Sequence, residues 1–417
     1  MNLVHFSSRI PIHRCRSSNS SSRGFSIRSS LPFLPEKAKY YKELEVAVDA
    51  VEKACRLCVD VKKSLFSGVE RILHKNDQTP VTIADFGVQA LISLELGRAF
   101  PSIPLVAEED SAFLRSSLEN SEKEKLSSSN FLVDSVFDAV SDKASAIGES
   151  LSHNDVLDAI DRGGKITVGF GTKPATYWVL DPIDGTRGFL KGSDALYVVG
   201  LALVVEGNIV VGVMGCPNWK ECVPTGDVLG DETGGSGSGI IMIAHTRCGT
   251  WAKRLPTMLD DTAYLLNKWS KCSVDSCSLV HEAGFCIPES QTWESLPLST
   301  SFATTDADNV GDKQKVLLLP ACCGSLCKYL MVAFGRASVF IVRARSTTVI
   351  KAWDHAVGMI CVHEAGGQVT DWKGSPLDLA ADEVGRRVIF PSGGVLVTNG
   401  NLHIQILQMI STSLQMV

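Results

Sequence analysis

A chain of 417 residues with 45% apolar content can bury a large core and has room for two or three domains. Its formal charge of −6 is unevenly spread: residues 1–35 hold five Arg, ten Ser, no Lys and no acid, so without them the charge becomes −11. So acidic a body excludes a nucleic-acid polymer as partner, because no basic stripe is left to neutralise phosphates. The longest apolar run spans only 195–205, well short of the ~20 residues of a membrane helix, so no membrane partner is expected either.

In chain order, residues 1–36 have the composition of an organelle transit peptide and are expected to be disordered. The Arg density points to the mitochondrion, with the chloroplast as the alternative. Over 37–66, Leu44, Ala47, Val48, Val51, Ala54, Leu57, Val61 and Leu65 recur at helical steps and predict one helix. A second helix follows Pro80 and leaves at Phe100-Pro101, and Leu105-Val106-Ala107 reads as a short strand ending in Glu108, Glu109 and Asp110. The stretch 110–160 is polar and Ser-rich and is expected to be a variable insertion, partly disordered or loosely helical. Strands follow at 168–170 and 177–180, then a hairpin over 195–214 that turns at Glu206-Gly207-Asn208. A Gly-rich loop at 226–239 follows a domain boundary expected near 216–225. Beyond it, strands at 239–244, 315–319, 338–342 and 394–397 alternate with helices at 322–334, 353–363 and 402–414, the pattern of an α/β layer. The expected domains are thus an α+β metal-binding half, 37–220, and an α/β half, 221–417. The 13 Cys have no disulfide-framework spacing and read as reduced thiols; the C-x-x-C at Cys55 and Cys58 lies inside a helix, with no second pair to complete a zinc site.

The densest chemistry lies in Trp178-Val179-Leu180-Asp181-Pro182-Ile183-Asp184-Gly185-Thr186-Arg187-Gly188-Phe189. An apolar run ends in two carboxylates three residues apart, with a Pro between them that bends the chain. Both carboxylates and the Ile183 carbonyl can converge on one point, the oxygen set that a hard cation such as Mg²⁺ takes. Gly185 and Thr186 place small residues and backbone N–H groups beside it, as a phosphate requires. Asp-Pro and Asp-Gly are also ordinary turn dipeptides, and it is the whole hexapeptide at a strand end that favours the site.

Together with 77–86, with Leu105-Val106-Ala107-Glu108-Glu109-Asp110 and with Trp353-Asp354-His355-Ala356, this segment resembles the lithium-sensitive, Mg²⁺-dependent phosphatases of the inositol monophosphatase superfamily. The resemblance extends over roughly 37–405. The flanks Ile83-Ala84-Asp85-Phe86, Gln89, Gly185–Gly192 and Gly215-Cys216-Pro217-Asn218 look like the 3'(2'),5'-bisphosphate nucleotidases, which convert adenosine 3',5'-bisphosphate to AMP. The fold implied is a five-layered αβαβα sandwich, with the site in the cleft between its halves. The implied metal ligands are Glu108, Asp181, Ile183, Asp184 and Asp354, holding two or three Mg²⁺. Thr186 and Asp85 would orient the attacking water and take its proton, with no phosphorylated protein intermediate. Each has a plainer reading: Asp85 or Asp354 as a helix cap, Glu109 and Asp110 as solvent-facing acids, and His355 as a packed histidine.

The nucleotide contacts implied are Gly185, Thr186, Asp354, and the Ser-x-x-Lys pair Ser325 and Lys328, meeting the second phosphate. Arg343, or Arg345, would join that anchor, although the local register is shifted. Where the nucleotidases carry a His against adenine, this chain has Phe285, which can stack on a purine but cannot hydrogen-bond, or can serve as plain core. The expected substrate is therefore adenosine 3',5'-bisphosphate, with its 5'-phosphosulfate relative as a second. An inositol (poly)phosphate 1-phosphatase and a catalytically silent nucleotide sensor are the alternatives. The expected assembly is a monomer or weak dimer.

Overall fold

The computed structural model describes residues 31–66, 72–74, 80–116, 130–144, 151–164, 170, 175–190, 195–220, 239–255, 268–304, 316–319, 324–345, 347 and 349–415. Helix α1 (Tyr41–Phe66) buries the predicted apolar stripe, from Leu44 through Val61. A short hairpin, β1 (Ile72–His74) with β2 (Pro80–Thr82), leads into α2 (Ile83–Ala99) and strand β3 (Leu105–Ala107). Almost all of α2 is buried, as a helix apolar on every side must be.

Two helices follow, α3 (Asn130–Lys143) and α4 (His153–Gly164). They correct the expectation of a loose insertion over 110–160. Val133, Val136 and Val140 of α3 and Val156, Leu157 and Ile160 of α4 are buried in the same core as α1 and α2. Asp161 accepts hydrogen bonds from the Ser111 N–H and hydroxyl and from Arg115, which closes the segment on itself. The polar composition that suggested disorder belongs to the outer faces of these helices and to 117–129, outside the described residues.

Strand β4 (Tyr177–Asp184), the one-turn helix α5 (Thr186–Leu190), and the hairpin β5 (Val198–Val205) and β6 (Asn208–Cys216) come next. Strands β7 (Ile240–His245), β8 (Gly249–Arg254) and β9 (Ser270–Lys271) complete a seven-stranded sheet in the order β3-β4-β5-β6-β7-β8-β9. This sheet continues past residues 216–225, where a domain boundary was expected; the change of sheet falls between Lys271 and Gly284. The second sheet is built from β10 (Gly284–Cys286), β11 (Leu317–Leu318), β12 (Val339–Arg343), β14 (Gln368–Asp371) and β16 (Gly394–Thr398), ordered β11-β10-β12-β16-β14. Between its strands lie helices α6 (Leu298–Thr304), α7 (Leu326–Ala333) and α8 (Ala356–Glu364) and the small pair β13 (Ile350–Lys351) and β15 (Val388–Ile389); α9 (His403–Gln415) ends the fold. The expected strand at 168–170 and the Gly-rich loop at 226–239 lie almost entirely outside the described residues.

Alternation along the strands sets the layers. Trp178 and Leu180 of β4 face α1 and α2, whereas Tyr177 and Val179 face a second core that holds α7 and α8. Val395 and Val397 of β16 face that same second core, while Leu396 faces a third core with Ile406 and Ile410 of α9. Read across the molecule, the order is helix, sheet, helix, sheet, helix: the αβαβα sandwich. The folded body begins earlier than the expected leader boundary at 36. Leu31 is buried, Phe33 packs edge-on against Tyr41 at 6.3 Å, and the Tyr40 N–H donates to His245 at 3.3 Å. Among the described residues no helix is long and apolar enough to cross a membrane.

Because α4 is core and not loop, Ile160→Ala is expected to cost about 2–5 kcal/mol of unfolding free energy, read by chemical denaturation. A loss below about 0.5 kcal/mol, as for a surface substitution, would restore the loose-insertion reading.

Candidate metal centre and active site

Residues three apart on a regular strand face opposite sides of a sheet, so Asp181 and Asp184 need a break between them to meet. Pro182 supplies it, having no N–H for the ladder. The pairing of β4 with β5 shifts register between Asp181, opposite Gly200, and Asp184, opposite Val198. Both carboxylates then open into one cavity of about 320 Å³. Strand β3 runs parallel to β4 with Ala107 beside Leu180, so Glu108 leaves the sheet next to Asp181. Gln89 of α2 holds that exit: it accepts the Glu109 N–H at 2.9 Å and donates to the carbonyls of Glu109 and Ile160 at 2.6 and 2.8 Å. Glu109 is itself buried and Asp110 is exposed, which leaves Glu108 as the acid on the cavity wall.

Asp354 arrives from the other half of the chain, between β13 and α8. The cap of α8 is His355, not Asp354, and its ring is buried. Its Nδ1 meets the Tyr329 hydroxyl at 2.9 Å, and burial pulls its pKa down to about 4, so it is a neutral, packed histidine. Asp184 ties the halves together. Its carboxylate accepts the backbone N–H groups of Ser325 and Leu326 at 3.0 and 2.6 Å, at the start of α7. Gly324 stands at φ +67, and a Cβ there would overlap the Asp184 carboxylate, so only glycine allows this approach.

Asp181, Asp184 and Asp354 bring one oxygen each to within 4.8 Å of one another. Burial, and then the neighbouring carboxylates, push Asp181 and Asp354 well above the ordinary range. Asp184 is pushed up by burial to about 6, held there by the Leu326 and Ser325 N–H groups and by the charge of Lys328. Three such groups cannot all ionise in one place without a cation. One further observation fits a metal: Asp181 Oδ1 is buried and has no hydrogen-bond partner. All the donors are hard oxygens, the set suited to Mg²⁺, Mn²⁺ or Ca²⁺. Glu108 stands outside the tight trio but lines the same cavity, and its charge raises all three pKa values.

Residues 40–415 match the inositol monophosphatase family. The chain belongs to that family. It is 60% identical over 392 residues to an Arabidopsis thaliana protein named "Putative 3'(2'),5'-bisphosphate nucleotidase, mitochondrial", an alignment covering 94% of this chain and 92% of the relative. It is 34% identical to the Arabidopsis "3',5'-bisphosphate nucleotidase AHL", covering 85% and 93%. Among solved structures, an IMPase of Thermotoga maritima superposes with a TM-score of 0.51 at 18% identity, over 90% of this chain and 98% of that one. This is a likeness of fold.

The structure gathers most, not all, of the residues singled out from this family member's sequence. Ile183, Gly185, Thr186, Ser325 and Lys328 line the cavity with the acids. The Thr186 hydroxyl donates to the Ile183 carbonyl at 3.2 Å. Asp85 lies in the first turn of α2, is 3% exposed, and acts electrostatically on Asp181. Two expectations fail. Phe285 is a core residue of β10, packed edge-on against Trp293 at 5.2 Å and Phe302 at 6.0 Å, and it presents no face to a substrate. Arg343 follows Val342, which packs between the sheets, so it points to the opposite face and donates to the Ser295 carbonyl at 2.6 Å. Arg345 is likewise held by the Ser290 carbonyl. The cation that sequence reasoning passed over is Arg187, one residue beyond Thr186. It lines the cavity, and its side chain makes no hydrogen bond or ion pair with any described residue. Nine described cysteines are free; burial pushes Cys55, Cys58 and Cys327 far up and Cys216 to about 12, which keeps them as unreactive thiols.

The raised carboxylates set a pH dependence. Their folded pKa values lie above the unfolded ones, so between about pH 4 and pH 6 the metal-free fold holds protons that the unfolded chain has lost, and its stability declines as pH rises. A cation needs the ionised form, so binding expels those protons. Added Mg²⁺ should raise the melting temperature more at about pH 7.5 than at about pH 5, and titration calorimetry near pH 6 should record proton release. An equal gain at both pH values with no proton release would contradict this account of the site.

Proposed function

We propose that this family member is a Mg²⁺-dependent phosphomonoesterase that removes the 3'-phosphate of adenosine 3',5'-bisphosphate, and also acts on the 5'-phosphosulfate relative. The observation that carries the reading is one cavity holding both an oxygen cluster short of a cation and two cations of its own, Lys328 and Arg187. The two bisphosphate nucleotidases to which the chain is similar support the substrate class. Glu108, Asp181, Asp184, Asp354 and the Ile183 carbonyl would hold two or three Mg²⁺. When bound, these ions supply Lewis-acid polarisation of the phosphoryl group and of the attacking water. Thr186 would orient that water and Asp85, in the first turn of α2, would take up the proton. Attack is in line, with no covalent protein intermediate. The complete ligand set speaks against a silent sensor. Lithium is expected to inhibit at concentrations where sodium does not. The Arg-rich leader and the name of the Arabidopsis relative support a mitochondrial destination, with the chloroplast as the alternative.

The two cavity cations divide the work. Lys328 is 2% exposed, donates to the Gly324 carbonyl at 2.7 Å, and lowers the Asp184 pKa. It therefore serves the metal loop as well as the substrate. Arg187 has no such duty and is free to pair with the phosphate that is not cleaved. Losing a charge-assisted bond of about 1.5–3 kcal/mol, Arg187→Ala should raise KM for the bisphosphate about 10- to 150-fold, with kcat little changed. A single-phosphate substrate should hardly be affected. Lys328→Ala should reduce turnover of both. Phosphate release from the two substrates, with and without Mg²⁺, checks this. Equal losses on both substrates for Arg187→Ala would remove it from the anchor, and Mg²⁺-independent turnover would refute the reading as a whole.

A separate test concerns the metal loop. Asp181→Asn should leave the melting temperature of the metal-free protein unchanged or higher, since it removes a buried carboxylate crowded by others, while lowering turnover by about 10³-fold, or ~4 kcal/mol. Near-normal turnover would sink the ligand assignment.

A further inference from the structure

Glu108 and Asp354 are brought to the cavity by segments that are distant in sequence, and one side chain outside the cavity joins the two. Arg387 lies just before β15, which pairs with β13 so that Val388 stands opposite Lys351. Its own carbonyl accepts the Ala352 N–H at 2.8 Å, two residues before Asp354. Its guanidinium lies 5.9 Å from the ring centre of Trp353, the residue preceding Asp354. The same guanidinium reaches the other half: Nη1 donates to the Ala107 carbonyl at 2.9 Å, and Nη2 to the carbonyls of Gly163 and Gly164. Ala107 is the residue before Glu108, and Gly164 ends α4 against the Glu109 backbone, where a Cβ would overlap the Glu109 carbonyl. The Arg387 N–H is in turn fixed by Asp382 at 2.9 Å.

We propose that Arg387 is the positioning residue that sets the separation of Glu108 from Asp354, and with it the affinity of the centre for its divalent cation. The inference rests on the metal-centre reading of the cavity. A planar fork meets several carbonyls while stacking on a ring; an ammonium has the charge but not the shape. Two rigid supports are thereby tied at one point: the end of β3, braced by Gln89 and α4, and the turn into α8. Without the tie, Glu108 and Asp354 each stay in the fold, but their spacing is no longer imposed. Arg387 touches no cavity wall and contributes nothing directly to the phosphate.

The test is Mg²⁺ binding by titration calorimetry on the whole chain, comparing Arg387→Lys, Arg387→Ala and, as a control for stability alone, Glu52→Gln. The control weakens the buried Lys253–Glu52 ion pair on the far side of the large sheet. Arg387→Lys should fold and bind Mg²⁺ about 10- to 100-fold more weakly, the usual cost of losing a group that supports metal ligands. The concentration of Mg²⁺ that half-activates turnover should rise in proportion, with kcat at saturating Mg²⁺ within about three-fold of wild type, whereas Glu52→Gln should lower the melting temperature without moving either Mg²⁺ value. If Arg387→Ala does not fold, Arg387→Lys still decides. Wild-type Mg²⁺ affinity in Arg387→Lys would overturn the proposal while leaving the metal centre standing. A wild-type chain that binds no Mg²⁺ would overturn both.

Discussion

The site depends on the mutual repulsion of carboxylates that have been taken out of water. Asp181, Asp184 and Asp354 lie within one cation's reach of each other, with Glu108 nearby, and no described residue neutralises the three aspartates fully. Lys328 offsets part of the charge on Asp184 and the α7 N–H groups offset more, but Asp181 Oδ1 has no hydrogen-bond partner among the described residues. Such an arrangement is costly unless a divalent cation is present. The fold bears that cost: every segment that carries an acid is anchored on its far side, β3 by Gln89 and α4, β4 by full burial in the large sheet, and the α8 turn by Tyr329 and β15.

The two sheets meet at this charge cluster. Asp184 belongs to the large sheet yet caps the helix that packs beneath the small one, and Gly324 is the concession that lets the backbone come so close. Helix α7, entered at Ser325, brings Lys328 to the cavity wall and Tyr329 to His355, the residue after Asp354. On the proposed function, metal and phosphate recognition would share one short helix. Lys328 stands on that helix beside Asp184, whereas Arg187 reaches the same cavity from α5.

Much of this was legible in the sequence. The stripe from Leu44 to Leu65, the all-apolar run at 177–180 and the alternation of strands with helices after 315 each follow from a period that a single sequence displays. The convergence of Asp181 and Asp184 was legible because Asp-Pro-Ile-Asp-Gly-Thr needs no tertiary knowledge: the Pro break and the two acids lie together in the chain, whereas Glu108 and Asp354 come from distant segments and were reached only through the family resemblance. The substrate side was harder, because it depends on which face of a strand a residue occupies. Arg343 misses the cavity by one residue of register, and Phe285 falls on a strand flanked by two others, where only core remains for it. Helices α3 and α4 were hidden by a Ser-rich setting, and the role of Arg387 by its distance of 280 residues from the carbonyl it holds.

The central claim is that the orphaned oxygen of Asp181 and its neighbours exist to hold divalent cations. The most direct measurement is a crystal structure of the chain soaked in Mn²⁺, with anomalous scattering to place the ions. The account predicts a peak within coordination distance of Asp181, Asp184 and Asp354, with a second beside Glu108 and the Ile183 carbonyl. An occupied site elsewhere, or a cavity with water and no anomalous peak at saturating Mn²⁺, would contradict it.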